Sequence, residues 1–251
     1  MARRGKGDGI CAYCGEHRDS LEQEHVFPAS WHPTSTPADR ARIKVPSCGP
    51  CNRDFGRIEE RLLRAWGLCI DTQAPGAIGV WDRVQRSLDS AQGRTPRDAR
   101  VRAATREKVK RSIQPMPVTA AGRFPGMGAK EAAWVRQSSG LYELSSDALP
   151  VSAADVSALT KKLVRGLHFA IFTAPLGRDI RIDTYVVGEE AWPKLLDQVR
   201  SMTPQGTPPG FIFWRGASDQ HPDFAFWYFL VWGQVFLQAS TIPPDVSQSV
   251  T

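Results

Sequence analysis

A chain of 251 residues with 41% hydrophobic content can bury a sizeable core, as one large domain or two modest ones. No stretch reaches the run of about 18 apolar residues that a membrane-spanning helix needs. The net charge of +6 is one-sided: there are 22 Lys+Arg against 14 Asp+Glu through Arg123, and 10 against 12 from Phe124 onward. This composition argues against a polyanion-repelling surface on the first half and favours a phosphate-bearing partner there, unless the arginines only solvate helices.

Residues 1–9 read as a flexible, basic, Gly-rich leader. They contain no apolar run that would serve as a secretory signal, so a soluble protein in a reducing, cytoplasmic setting is expected. Cys11 and Cys14 form one Cys-x-x-Cys pair and Cys48 and Cys51 another, with 33 residues between them, enough for a strand, a loop and a return strand. Four thiolates so spaced suit a tetrahedral Zn²⁺, and a closed four-ligand set is structural rather than catalytic. The alternative, two disulfides, needs an oxidising compartment. Cys69 is left over and reads as a small buried hydrophobe.

Between the pairs, Glu24-His25 precedes Val26-Phe27-Pro28, an apolar stretch that reads as the end of a strand turning into a loop. Neighbouring residues on an extended segment point to opposite faces, which lets a carboxylate bind a metal while an imidazole handles a proton. Asn52 opens an amphipathic helix that runs to Trp66, with Phe55, Ile58, Leu62 and Ala65 at helical spacing. Asn52 is the only Asn in the chain, and either caps the helix or faces what the preceding strands hold.

The combination of Cys-x-x-Cys, acid-His-x-x-Pro and Cys-x-x-Cys-Asn resembles the HNH endonucleases, the ββα-metal or His-Me finger group, and especially its zinc-stabilised, phage endonuclease VII-like members. The resemblance covers roughly residues 10–66. It implies that His25 is the general base acting on the attacking water, that Glu24 and Asn52 hold one Mg²⁺ or Mn²⁺, and that cleavage leaves a 5′-phosphate. Two positions depart from the pattern. Glu24 stands where endonuclease VII has Asp, and the central Asn of the signature has no counterpart, Arg42 or Lys44 lying near its place. A zinc finger that binds nucleic acid, or serves an architectural role, without cutting is therefore the alternative.

Further on, Pro75–Gly79 reads as a loop, Val80–Ser90 as a short helix, and Arg94–Arg111 as a basic helix capped by Thr95-Pro96. The basic helix either tracks phosphates or is a solvated linker. Arg53, Arg57, Arg97 and Arg100 are the candidate nucleic-acid contacts. DNA is the expected partner; charge alone does not separate it from RNA.

Pro115, Pro117, Gly122, Pro125, Gly126 and Gly128 mark a boundary. Beyond it Ser152 caps a helix to Leu167 with Val156, Leu159, Leu163 and Val164 as its buried stripe. His168–Thr173 and Ile180–Val187 follow as strands, Glu189–Met202 as a helix, and Phe211–Arg215, Phe224–Trp232 and Gln234–Ala239 as strands, the last two forming a hairpin. His168 and His221 read as structural, and the aromatic run from Phe224 to Trp232 either fills the core or offers stacking faces to bases. The expected architecture is α+β: a zinc-stapled ββα-metal nuclease finger (1–72), a basic helical linker (73–123) and an α+β accessory domain with an antiparallel sheet (124–251). The accessory domain would select substrate, regulate, or form a homodimer.

Overall fold

The computed structural model describes residues 7–37, 42–117, 132–136, 142–187, 191–219, 221 and 223–244, with the backbone alone described over 114–117, 132–136 and 142–148. The chain is a mixture of helices and antiparallel sheets. Its first sheet contains β1 (Gly7–Ile10), β2 (His17–His25) and β3 (Lys44–Cys48) in the order β1-β2-β3. Gly7–Ile10 is thus not part of a flexible leader: it pairs antiparallel with β2, Gly9 opposite Arg18 and Ile10 opposite His17. Residues 1–6 of that leader lie outside the described residues.

The helix that follows, α1 (Gly49–Cys69), starts three residues before Asn52. Pro50 sits in its first turn, where proline's fixed φ is preorganised and its missing N–H costs nothing. Asn52 consequently lies inside the first turn, and Cys48 is the cap residue. The helix buries Leu62 and Trp66. Next come α2 (Val80–Leu88), which buries Val80, Val84 and Leu88, and α3 (Pro96–Ser112), whose Thr95 side chain accepts from the Asp98 amide. None of α3's residues is buried.

The Pro-rich boundary carries a strand that its composition hides. β4 (Gln114–Pro117) pairs with β6 (Tyr142–Ala148), which also pairs with β5 (Ala132–Arg136), giving the order β4-β6-β5. Gly122, Pro125, Gly126 and Gly128 lie outside the described residues.

The predicted strand at His168–Thr173 is instead the last turn of α4 (Ala153–Phe172), capped by Ser152. The apolar run Phe169-Ala-Ile-Phe172 has strand-like composition. However, Leu163, Leu167 and His168 are buried on the continuing helical period, and nothing breaks the helix before Thr173, whose φ of 56° ends it.

A five-stranded antiparallel sheet then forms in the order β7-β11-β10-β9-β8, from β7 (Arg181–Val186), β8 (Gln205–Thr207), β9 (Phe211–Ala217), β10 (Ala225–Val231) and β11 (Val235–Ile242). Trp232 and Gly233, with φ of 55° and 71°, make the β10–β11 turn, the double positive φ that matches the right-handed twist of a tight hairpin. One face of the sheet, with Trp227, Phe229 and Val231, packs in a cluster with Val156, Leu159 and Leu163 of α4. On the other, Trp214, Tyr228 and Phe236 pack with Val199, Trp192 and Leu195 of α5 (Trp192–Val199). The aromatic run of β10 is therefore core on both faces, with Phe226 its exposed member.

The same cluster that holds the α4 face of the sheet includes Cys11, Val26, Phe27, Trp31 and Trp66. Phe27 stacks on Phe211 at 4.4 Å, Trp31 lies 5.2 Å from Trp232, and Trp232 Nε1 donates to the Trp31 carbonyl at 2.7 Å. This seam also buries His32, whose Nδ1 lies 3.4 Å from Thr207 Oγ1. Burial, reinforced by Arg42, holds its imidazole down to about 4 from the ordinary 6.5. The unfolded chain therefore takes up a proton that the folded one refuses. The stability this contributes is complete above pH 6.5 and declines as pH falls toward 4. Urea unfolding at pH 7 and pH 5 is expected to show a loss on the order of 1–2 kcal/mol from this residue, reduced in His32→Gln.

Candidate metal centre

Cys11 and Cys14 lie in the turn between β1 and β2, which closes through Gly15 N–H to Cys11 O at 2.9 Å. Cys48 ends β3 and Cys51 sits in the first turn of α1. The four sulfurs all lie within 4.8 Å of one another, and Cys14 and Cys48 Sγ are 3.9 Å apart. A tetrahedron with Zn–S bonds of ~2.3 Å has edges of ~3.8 Å, so the set fits zinc. Among the described residues no other group of three or more His, Cys, Asp or Glu side chains gathers in this way. The metal would bind all four sulfurs, leaving no open position, and its contribution is to fold stability.

The surroundings suit four thiolates. The Cys48 amide donates to Cys11 Sγ at 3.3 Å. Burial pushes the Cys11 thiol up, but the backbone donors of Cys14, Cys48 and Tyr13 outweigh it and hold the group at about 7. Burial pushes Cys14 and Cys51 up, a cost that a bound cation removes. A zinc with four thiolates carries two negative charges, and cations from distant parts of the chain stand near it. Arg178 Nε donates to the Cys14 carbonyl at 3.0 Å, and the charge of Arg165 on α4 is felt by Cys14 and Cys51. Cys69, at the end of α1, is half-buried.

Glu24 and His25 end β2, as their sequence context implies, but their partners are unexpected. Lys162 of α4 is wholly buried, and its Nζ donates to Glu24 Oε1 at 2.8 Å, to the His25 carbonyl at 2.8 Å, and to Glu59 Oε1 of α1. Asn52 Nδ2 donates to Glu22 Oε2 at 2.8 Å. Glu22 and Glu24 share one face of β2 by strand alternation, and α1 meets that face with Asn52 at one level and Glu59 at another. Glu24 and Asn52 are thus each satisfied by a different partner, and as arranged they do not present a shared vacancy to a divalent ion.

His25 is half-buried and lies opposite Lys44 in the β2–β3 register. Burial, then the charge of Lys44, keeps its imidazole below the ordinary value, with Glu24 opposing. It is therefore neutral at pH 7 and able to accept a proton. Arg53 and Arg57 are exposed on α1, Arg57 3.6 Å from Asp54, and Arg97 and Arg100 are exposed on α3. Arg102 of α3 turns back to Asp98 at 3.1 Å and the Arg86 carbonyl at 2.6 Å, which ties α3 to α2.

Sequence reasoning passed over Glu22, Glu59 and Lys162. Glu22 and Glu59 sit among other acids without a distinguishing mark. Lys162 had one: it falls between Leu159 and Leu163 on the apolar stripe of α4, where a lysine needs buried acceptors. Comparison with protein-family models, with curated proteins and with solved structures finds no match for this chain.

Proposed function

We propose that this protein is a zinc-stabilised HNH endonuclease that hydrolyses phosphodiester bonds in DNA. The observation that carries the reading is the local order of parts: an antiparallel strand pair, β2 and β3, leads directly into α1, with four clustered cysteines at its base, Glu24-His25 at the strand end and Asn52 in the first helical turn. In this reading residues 8–69 form a ββα-metal finger. His25, neutral at pH 7, takes the proton of the attacking water, and Lys44 and Arg42 beside it draw in the scissile phosphate. Mg²⁺ or Mn²⁺ is the metal of the resemblance, with Glu24 and Asn52 as its ligands.

The three-part division stands as a proposal in the same sense. Residues 1–72 carry the chemistry, residues 73–123 hold DNA through the exposed arginines of α3, and residues 124–251 support the site. Replacing Arg97 and Arg100 together by Ala is expected to weaken DNA binding across sequences and to flatten the dependence of log K on log salt by about 0.9 per lost phosphate contact. Fluorescence anisotropy at several salt concentrations measures this slope.

A second reading, a finger that binds DNA without cutting it, is favoured by Glu24 being neutralised by Lys162 and by Asn52 facing Glu22. Nicking of supercoiled plasmid decides between the two. Metal-dependent nicking, lost in His25→Ala at unchanged zinc content, is the expected result; salt-sensitive binding without nicking by either protein is what the second reading requires.

A further inference from the structure

Lys162 lies 0% exposed at the meeting of β2, α1 and α4. An ammonium has three donors, and here each has an acceptor: Glu24 Oε1, the His25 carbonyl and Glu59 Oε1. The rings of Tyr13 and Phe55 stand over it at 6.0 and 5.6 Å. A buried lysine so completely satisfied can be purely structural. Its position argues for more. Its acceptors include the strand-end residues to which the nuclease reading assigns metal binding and proton transfer, and it arrives from an element more than 130 residues away in sequence, the separation of Lys162 from Glu24 being 138. Two carboxylates surround one ammonium, the composition that a cation site has when its cation is a side chain.

We propose that Lys162 occupies the cation position of Glu24, so that α4 and a divalent ion compete for that carboxylate. This rests on the nuclease reading. A divalent ion on Glu24 would stand beside the ammonium, and like charges on one carboxylate repel, so the ion enters only as Lys162 withdraws. Linkage makes the effect mutual: whatever holds α4 in place weakens metal binding, and bound metal loosens the contact of α4 with β2. The C-terminal part of the chain would then set when the finger is loaded.

The test is Mn²⁺ binding to full-length, zinc-loaded protein, read by electron paramagnetic resonance. Lys162→Met combined with Glu59→Gln removes the ammonium and one carboxylate together, so that no second buried charge is stranded. This variant is expected to bind Mn²⁺ at least about tenfold more tightly than wild type, the scale of ordinary coupling between sites. Adding Glu24→Gln should abolish the gain, and Lys162→Arg, which keeps the charge, should not produce it. A double variant no tighter than wild type, or a gain that survives Glu24→Gln, overturns the proposal. If the double variant loses its zinc or its fold, hydrogen exchange of wild type decides instead: saturating Mn²⁺ should raise exchange over 157–166, and unchanged exchange overturns the proposal. Equal tight binding by wild type and variant, with nicking, removes the competition and leaves the nuclease reading standing. Absence of both binding and nicking removes both.

Discussion

Cys48→Ser is expected to yield a protein that neither retains zinc nor folds cooperatively. Cys48 is buried, closes β3 opposite Leu21, caps α1, and donates its amide to Cys11 Sγ. Structural zinc sites contribute an apparent ~10–16 kcal/mol in finger peptides, as much as or more than the whole net stability of a typical domain. The first sheet has little else to stand on, because β1 and β2 are mostly exposed. The damage should also spread. Cys11, Tyr13 and Val45 belong to the same buried cluster as Leu163 of α4 and Phe229 of β10, so losing the metal opens a core that the large sheet shares. Metal analysis together with circular dichroism during thermal unfolding checks this, and chelation of wild-type zinc should reproduce the variant. A folded, metal-free Cys48→Ser protein with the wild-type transition would show that the cysteines are only neighbours.

Lys162→Ala is expected to cost about 3–5 kcal/mol, the usual penalty for removing one partner of a buried ion pair and stranding the other charge. Here two carboxylates are stranded. Glu24 and Glu59 are 15% and 13% exposed, and burial already pushes the Glu59 carboxyl above its ordinary value against the opposing pull of Lys162. Without the ammonium both carboxylates must protonate or find water. The sign with pH follows: the folded variant holds protons that the unfolded chain releases, so its deficit relative to wild type should shrink as pH falls toward the carboxyl range and grow above it. Lys162→Met should lose less than Lys162→Ala because it keeps the stem packed among Tyr13 and Phe55. Urea unfolding of the three proteins at pH 5 and pH 7.5 measures both effects.

The comparison of sequence and structure divides along physical lines. What rests on local spacing was readable. The cysteine pairs, the strand that ends at His25, the Thr95 and Ser152 caps and the β10–β11 hairpin each follow from a few neighbouring residues. What rests on long-range pairing was not. β1 and β4 are short strands whose Gly and Pro content reads as loop, and each exists because another strand lies beside it. The end of α4 was misread because Phe169–Phe172 has the composition of a strand, while the helical period that decides the matter is set by burial against the sheet. At the candidate site, the residue types were legible and their partners were not. Glu24 and Asn52 look like a ligand pair from their spacing, yet Lys162 and Glu22 claim them, and the sequence separation between Lys162 and Glu24 is 138 residues.

The most direct measurement is single-turnover nicking of supercoiled DNA with analysis of the ends produced, wild type beside His25→Ala at matched zinc content. The account predicts nicks that appear with Mg²⁺ or Mn²⁺, carry a 5′-phosphate that ligase can reseal, and vanish in the variant. Bound but uncut DNA, or nicks made equally well by His25→Ala, would contradict it.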